Sequence, residues 1–132
     1  MAGKIKGVSE VALWVKDLEA AKQFYIDILG CEIVEEDAGH NVFLSAGDCL
    51  IVLFQRDSPN TALANEYLAR TGGPKGEVYH IALRVEPDEL DGLASEIRSH
   101  NKFVKGPVEF AGGRRSYFLE DTDEHYLELT DR

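Results

Sequence analysis

Apolar and polar residues alternate along "SEVALWV", Ser9 to Val15, so that Val11, Leu13 and Val15 stand on one side and Glu10, Ala12 and Trp14 on the other. A period of two predicts a strand with one face buried. The period then lengthens. In "DLEAAKQFYIDILG" the residues Leu18, Ala21, Phe24, Tyr25, Ile28 and Leu29 recur at helical spacing, with Asp17 placed to cap the start and Gly30 to end the run. Three short strands are predicted next, "CEIVEED", "NVFLSAG" and "CLIVLFQ", separated by the turn-like "AGH" and "GD".

The chain then repeats itself. Sliding the sequence so that Glu10 meets His80 aligns "SEVALWVKDLEAAKQFYIDILGCEIV" with "YHIALRVEPDELDGLASEIRSHNKFV". Ala12 falls on Ala82, Leu13 on Leu83, Val15 on Val85, Glu19 on Glu89 and Val34 on Val104. The second helix is predicted to start near Asp88, after Pro87, with Leu90, Leu93, Ala94 and Ile97 as its apolar stripe. "FVKGPVEF", "RRSYFLED" and "HYLELTD" read as its three following strands. The expected fold is therefore α+β, a single domain over 1–132 made of two βαβββ modules that form a curved mixed sheet. Module one is placed at 5–56, a linker with a helical patch around Leu63 to Leu68 at 57–77, and module two at 78–132.

A chain of 132 residues with 44% hydrophobic content suits one compact domain. The longest apolar run, "CLIVLF", is too short to span a bilayer, and no apolar segment follows the lysines of "MAGKIKGVSEV". These features predict a soluble, cytoplasmic protein without a membrane partner. A formal charge of -10 argues against a nucleic-acid partner, which would require clustered lysine and arginine. Cys31 and Cys49 have no metal-ligand spacing; one bridge between them is open, and buried reduced thiols are the favoured reading.

Alternation turns Glu10, Ala12 and Trp14 away from the helix-covered face, and likewise His80, Ala82 and Arg84. If the modules pair through their first strands, Glu10 and His80 face one cavity. On that face Trp14 would give a flat apolar wall, and Arg84 a partner for a substrate carboxylate or phosphonate. Tyr126 is expected to line it too. In "EHYLELTDR" Glu128 sits between Leu127 and Leu129, where a carboxylate is rare unless paired or metal-bound. Val52 holds the corresponding place in module one. Plainer accounts stand beside these: a strand-start histidine bonded to a backbone carbonyl for His80, a solvated edge for Glu128, a strand-end carboxylate for Glu10. His125 falls on the face opposite Glu128 and reads as structural or solvent-exposed, and His40 and His100 as surface residues. "GGRRSY" reads as a solvated turn, from which Arg115 could reach an anionic ligand.

The paired modules, the opening "EVALWVKD" leading to "FYIDILG", the second opening "HIALRV" and the ending "YFLEDTDEHYLEL" resemble the vicinal oxygen chelate superfamily. Glyoxalase I, extradiol dioxygenases, fosfomycin-modifying thiol transferases and metal-free bleomycin-resistance proteins belong to that group. The resemblance implies ligand positions at Glu10, Val52, His80 and Glu128, of which three can bind a metal. It implies a divalent ion, Mn, Fe, Zn or Ni, held by Glu10, His80 and Glu128, with Glu10 alternatively a catalytic general base. The implied function is a metal-dependent lyase, isomerase, dioxygenase or thiol transferase acting on a small oxygen-rich substrate, in a homodimer. The alternative is a metal-free small-molecule-binding or drug-sequestering protein of the bleomycin-resistance type. Departures stand beside the resemblance: Glu10 stands where those relatives usually have His, the turn before the last strand reads Asp121, Thr122, Asp123, Glu124, without the group's usual Pro and Gly, and Val52 leaves out the fourth ligand that glyoxalase I needs.

Overall fold

The computed structural model describes residues 3–4, 7–58 and 80–131; the helical patch expected at Leu63 to Leu68, and nearly all of the linker, lie outside them. Contacts divide the chain into two compact units, Met1–Gly73 and Pro74–Arg132. Among the described residues, no helix is long and apolar enough to cross a membrane.

In the first unit, β1 (Glu10–Val15) leads into α1 (Leu18–Gln23), and β2 (Glu32–Asp37), β3 (Asn41–Ala46) and β4 (Cys49–Gln55) follow. The sheet order is β1-β4-β3-β2, with β1 parallel to β4 and the other pairs antiparallel. The expected cap forms: Asp17 Oδ1 accepts from the Ala20 N–H at 3.1 Å, satisfying a donor with no partner inside the helix. The single predicted helix changes pitch, running on from Phe24 to Ile28 as a π-helical turn. Gly30 then reverses the chain at φ 72, a left-handed conformation that suits glycine. The stripe Leu18, Ala21, Phe24 and Tyr25 is buried, as are Leu13 and Val15 of β1 and Ile51, Val52 and Leu53 of β4. Gln55 ties helix to sheet, accepting from the Leu18 N–H at 2.9 Å and donating to the Lys16 carbonyl at 2.7 Å.

The second unit repeats the design with β5 (Ile81–Arg84), α2 (Leu90–Ser99), β6 (Lys105–Glu109), β7 (Arg115–Glu120) and β8 (Tyr126–Thr130). Its sheet order is β5-β8-β7-β6, again with one parallel pair, β5 to β8. The described residues thus make two four-stranded mixed sheets, one per module. Leu90, Ala94 and Ile97 are the buried stripe of α2, and the helix begins two residues after Asp88, behind a turn at 87–89. On the sheet, Tyr117, Leu119, Leu127 and Leu129 are buried on the helix side, leaving Ser116, Phe118, Glu128 and Thr130 on the other.

The internal repeat extends to strand register. Val52 of β4 stands opposite Ala12 and Phe43, while Glu128 of β8 stands opposite Ala82 and Phe118. Valine and glutamate therefore occupy equivalent points of two equivalent sheets.

Candidate active site

β8 runs between β5 and β7, so a side chain at its centre is walled in on both sides. Glu128 takes that position and is 3% exposed. A carboxylate so placed needs partners. The Ser116 hydroxyl donates to its Oε2 at 2.6 Å, and His80 Nε2 lies 3.0 Å from its Oε1. Arg114 Nη2 stands 3.8 Å from Oε2, an ion pair beyond hydrogen-bond reach. Serine fixes one oxygen of the carboxylate and histidine meets the other.

The spacing suits a shared ion. Two donors bound at about 2.1 Å and at right angles around one divalent metal stand about 3.0 Å apart. His80 Nε2 and Glu128 Oε1 already have that separation. One imidazole and one carboxylate are also a donor set that Mn²⁺, Fe²⁺ and Zn²⁺ accept, and the Ser116 bond would orient the ligating carboxylate. Among the described residues, no group of three His, Cys, Asp or Glu side chains gathers that could hold a metal by itself.

In front of this pair lies an open cleft of about 460 Å³. Phe118 and Tyr126 form one wall, stacked with centroids 5.4 Å apart and planes 15° from parallel. Lys105 and Val108 come from β6, where a register shift puts residues three apart on one face. Phe110 and Arg114 complete the lining, the guanidinium lying over the Phe110 ring at 4.3 Å from its centroid.

Across residues 7–129 the chain matches the family model of the Glyoxalase/Bleomycin resistance protein/Dioxygenase superfamily. The chain belongs to this superfamily. The metallothiol transferase FosB of Staphylococcus haemolyticus is 22% identical over 126 residues, which cover 95% of this chain and 83% of FosB. Integron cassette protein HFX_CASS4, from the mobile metagenome of the Halifax Harbour sewage outfall, superposes with a TM-score of 0.75 at 30% identity, covering 97% of this chain and all of that one. A variant of the fosfomycin resistance protein FosX of Listeria monocytogenes, solved with Mn(II) and 1S,2S-dihydroxypropylphosphonic acid, gives 0.70 at 24% identity over 96% of this chain and 90% of its own; that likeness speaks for the fold.

Within this superfamily fold the sequence-predicted residues fall in different places. His80, Glu128 and Tyr126 line the cleft of the second unit. Glu10 is exposed at the first position of β1, and Trp14 is half-buried on the same face of the first sheet, 6.2 Å from Phe54 with Arg56 over its ring at 5.8 Å. Arg84 shares the face of Glu128 and stands exposed beside Thr130, at the far end of β5, away from the residues that line this cleft. Alternation turns Arg115 to the helix side, where Nη1 pairs with Asp91 at 3.0 Å, and its neighbour Arg114 is the arginine that lines this cleft. The same Asp91 accepts from the Tyr117 hydroxyl at 2.6 Å, a bond that holds the phenol above its usual titration range and the carboxyl below its own. Cys31 and Cys49 are free thiols, and burial pushes that of Cys31 up.

His125 is bonded within the turn before β8. Its Nδ1 lies 2.6 Å from Oδ2 of the buried Asp121, whose Oδ1 also accepts from the N–H groups of Asp123 and His125. The hydrogen bond to Asp121 holds the imidazole above its ordinary pKa. This carboxylate clasps the turn that launches β8.

Sequence reasoning passed over Ser116, Phe118, Lys105 and Arg114. A signal existed for the first two: in "RRSYFLE" the residues Ser116 and Phe118 alternate with Tyr117 and Leu119, so an antiparallel partner carrying Glu128 would meet them.

Proposed function

We propose that the chain is a metal-dependent enzyme of its superfamily, binding a small oxygen-rich substrate at a divalent ion held by His80 and Glu128. Glu10 is the third ligand in this reading, or the general base. One observation supports it above the rest: a nearly buried carboxylate, fixed by Ser116, meets an imidazole nitrogen at 3.0 Å at the floor of an open cleft. When bound, the ion supplies a Lewis acid that holds substrate oxygens and stabilises negative charge as it develops. Ser116 keeps Glu128 in one orientation, Arg114 offsets charge at the same carboxylate, and the Phe118 and Tyr126 rings exclude water from one side. Thiol transfer is the first reaction to assay, because the FosB relative is a metallothiol transferase. A homodimer in the cytoplasm is the setting we propose for it.

Metal analysis of protein purified without chelator tests the reading. Near-stoichiometric metal that is lost in His80→Ala and Glu128→Gln supports it. A chain that stays metal-free after incubation with Mn²⁺, Fe²⁺ and Zn²⁺ overturns it, and leaves metal-free small-molecule binding, which the aromatic wall would serve, as the function of the cleft.

A further inference from the structure

The cleft of the second unit has a composition out of keeping with the rest of the molecule. The whole chain carries a formal charge of -10, yet among the described residues of the lining Lys105 and Arg114 are the formally charged groups that accompany Glu128. Two cations beside one carboxylate that is already bonded to serine and histidine leave local positive charge. A cleft of this kind attracts an anion in an otherwise acidic protein.

The apolar lining has a shape as well. Phe118 and Tyr126 lie nearly parallel and give a flat surface, and Phe110, 37% exposed, contributes a further ring. Phe110 and Arg114 are held together by the chain itself. The Phe110 N–H donates to the Arg114 carbonyl at 2.8 Å, and the Gly113 N–H to the Phe110 carbonyl at 3.1 Å. Gly112 and Gly113 make this tight turn possible with φ of 83 and 87. Stacking uses the face of a guanidinium, whose N–H donors radiate in its own plane. Arg114 therefore comes to the cleft already positioned, with no hydrogen bond to Glu128 at 3.8 Å. The volume of about 460 Å³ is ample for a ring and its substituent, since pockets for drug-sized ligands span roughly 300–1,000 Å³.

We propose that this cleft binds an aryl oxyanion, a flat aromatic body carrying a carboxylate or phosphonate, with the ring against Phe118 and Tyr126 and the anionic group on Arg114 and Lys105. The proposal rests on the cleft being the substrate site, as above, and not on the metal. It names the substrate class through two recognition elements acting together: neither a small aliphatic anion nor a neutral aromatic satisfies both.

The test is calorimetric titration of the full chain, once chelator-treated and once loaded with Mn²⁺, using three probes: phenylphosphonate, methylphosphonate and benzyl alcohol. Phenylphosphonate is expected to bind at least about tenfold more tightly than either other probe, on the scale of one charge-assisted or stacking contact. Arg114→Ala should erase about tenfold of that affinity, and Phe118→Leu should narrow the gap between phenyl- and methylphosphonate. Arg115→Ala, on the opposite face, should leave the order of the probes unchanged. Circular dichroism of each variant confirms folding. Equal binding of methyl- and phenylphosphonate, insensitivity to Arg114→Ala, or no binding of phenylphosphonate in either form overturns the proposal. Metal content of the same samples separates the two readings: a metal-free chain that keeps the aryl preference sinks the metal and leaves this inference standing, and a metal-loaded chain without the preference does the reverse.

Discussion

Replacing Ser116 with alanine removes one atom from the environment of Glu128, and the structure sets the size of the effect. Ser116 is fully buried and Glu128 nearly so, so water does not replace the missing hydroxyl. A hydrogen bond to a charged group contributes about 1.5–3 kcal/mol. At 2.6 Å the Ser116 bond is short, but His80 and Arg114 remain near the carboxylate after the change. A loss of about 2 kcal/mol follows. Urea unfolding followed by far-ultraviolet circular dichroism, with chelator present, should show a midpoint about 1 M lower at unchanged slope. In a Glu128→Gln background the partner is neutral, and Ser116→Ala should then cost only about 1 kcal/mol. The difference between backgrounds isolates the charge on Glu128. A cost under about 0.5 kcal/mol, or the same cost in both backgrounds, would refute the view that serine holds an ionised carboxylate. Metal affinity gives a second reading: loss of an orienting hydrogen bond of this kind weakens a site by about 10–100-fold.

Glu124 holds φ 66 in the turn before β8, so Glu124→Gly should raise stability by about 0.5–1 kcal/mol in urea titrations; a decrease would mean that the turn conformation is wrong. The clasp of His125 on Asp121 raises the imidazole pKa above its ordinary 6.5 in the folded state. Its stabilisation is thus complete below that ordinary value and lost as pH rises through the folded-state value. Stability should fall from mildly acidic to mildly alkaline pH, and His125→Asn should flatten this part of the profile. At Gly106 an added Cβ would stand 2.8 Å from the Tyr117 ring and 2.9 Å from the Ser116 carbonyl, at φ 133. Gly106→Ala should therefore cost more than about 2 kcal/mol, read by the same unfolding assay.

The fold was legible because two periodicities occur in the same order twice. Alternation in "EVALWV" and "HIALRV", helical spacing after each, and turn residues at intervals are local signals, and β1, α1 and β8 form where they point. Glu128 was legible for a thermodynamic reason, since a carboxylate between two leucines in a strand requires a partner. Its partner Ser116 was legible only as a residue on the Phe118 face of its strand; the β7 to β8 register is what brings it opposite Thr130 and beside Glu128. The choice between Arg114 and Arg115 turned on a single residue of phase: β7 starts at Arg115, and that start directs Arg115 to Asp91 and leaves Arg114 in the loop over Phe110. Arg84 lay on the correct face, but its distance along the strand from the cleft depends on where Tyr126 and Phe118 stack, which alternation alone does not measure.

The pairing of Val52 with Glu128 at equivalent points of two sheets has a consequence for how such a molecule can change over time. A nearly buried carboxylate is a standing cost of several kcal/mol that its partners must offset, whereas a fully buried valine contributes about 1.5–3 kcal/mol of its own. After an internal duplication the two demands no longer compete for one position. One copy can settle into ordinary hydrocarbon packing while its twin carries the polar liability, so the copy with the carboxylate is open to substitution without putting the first copy's sheet at risk. That division of labour is a physical route by which one architecture comes to serve glyoxalases, resistance proteins and dioxygenases alike.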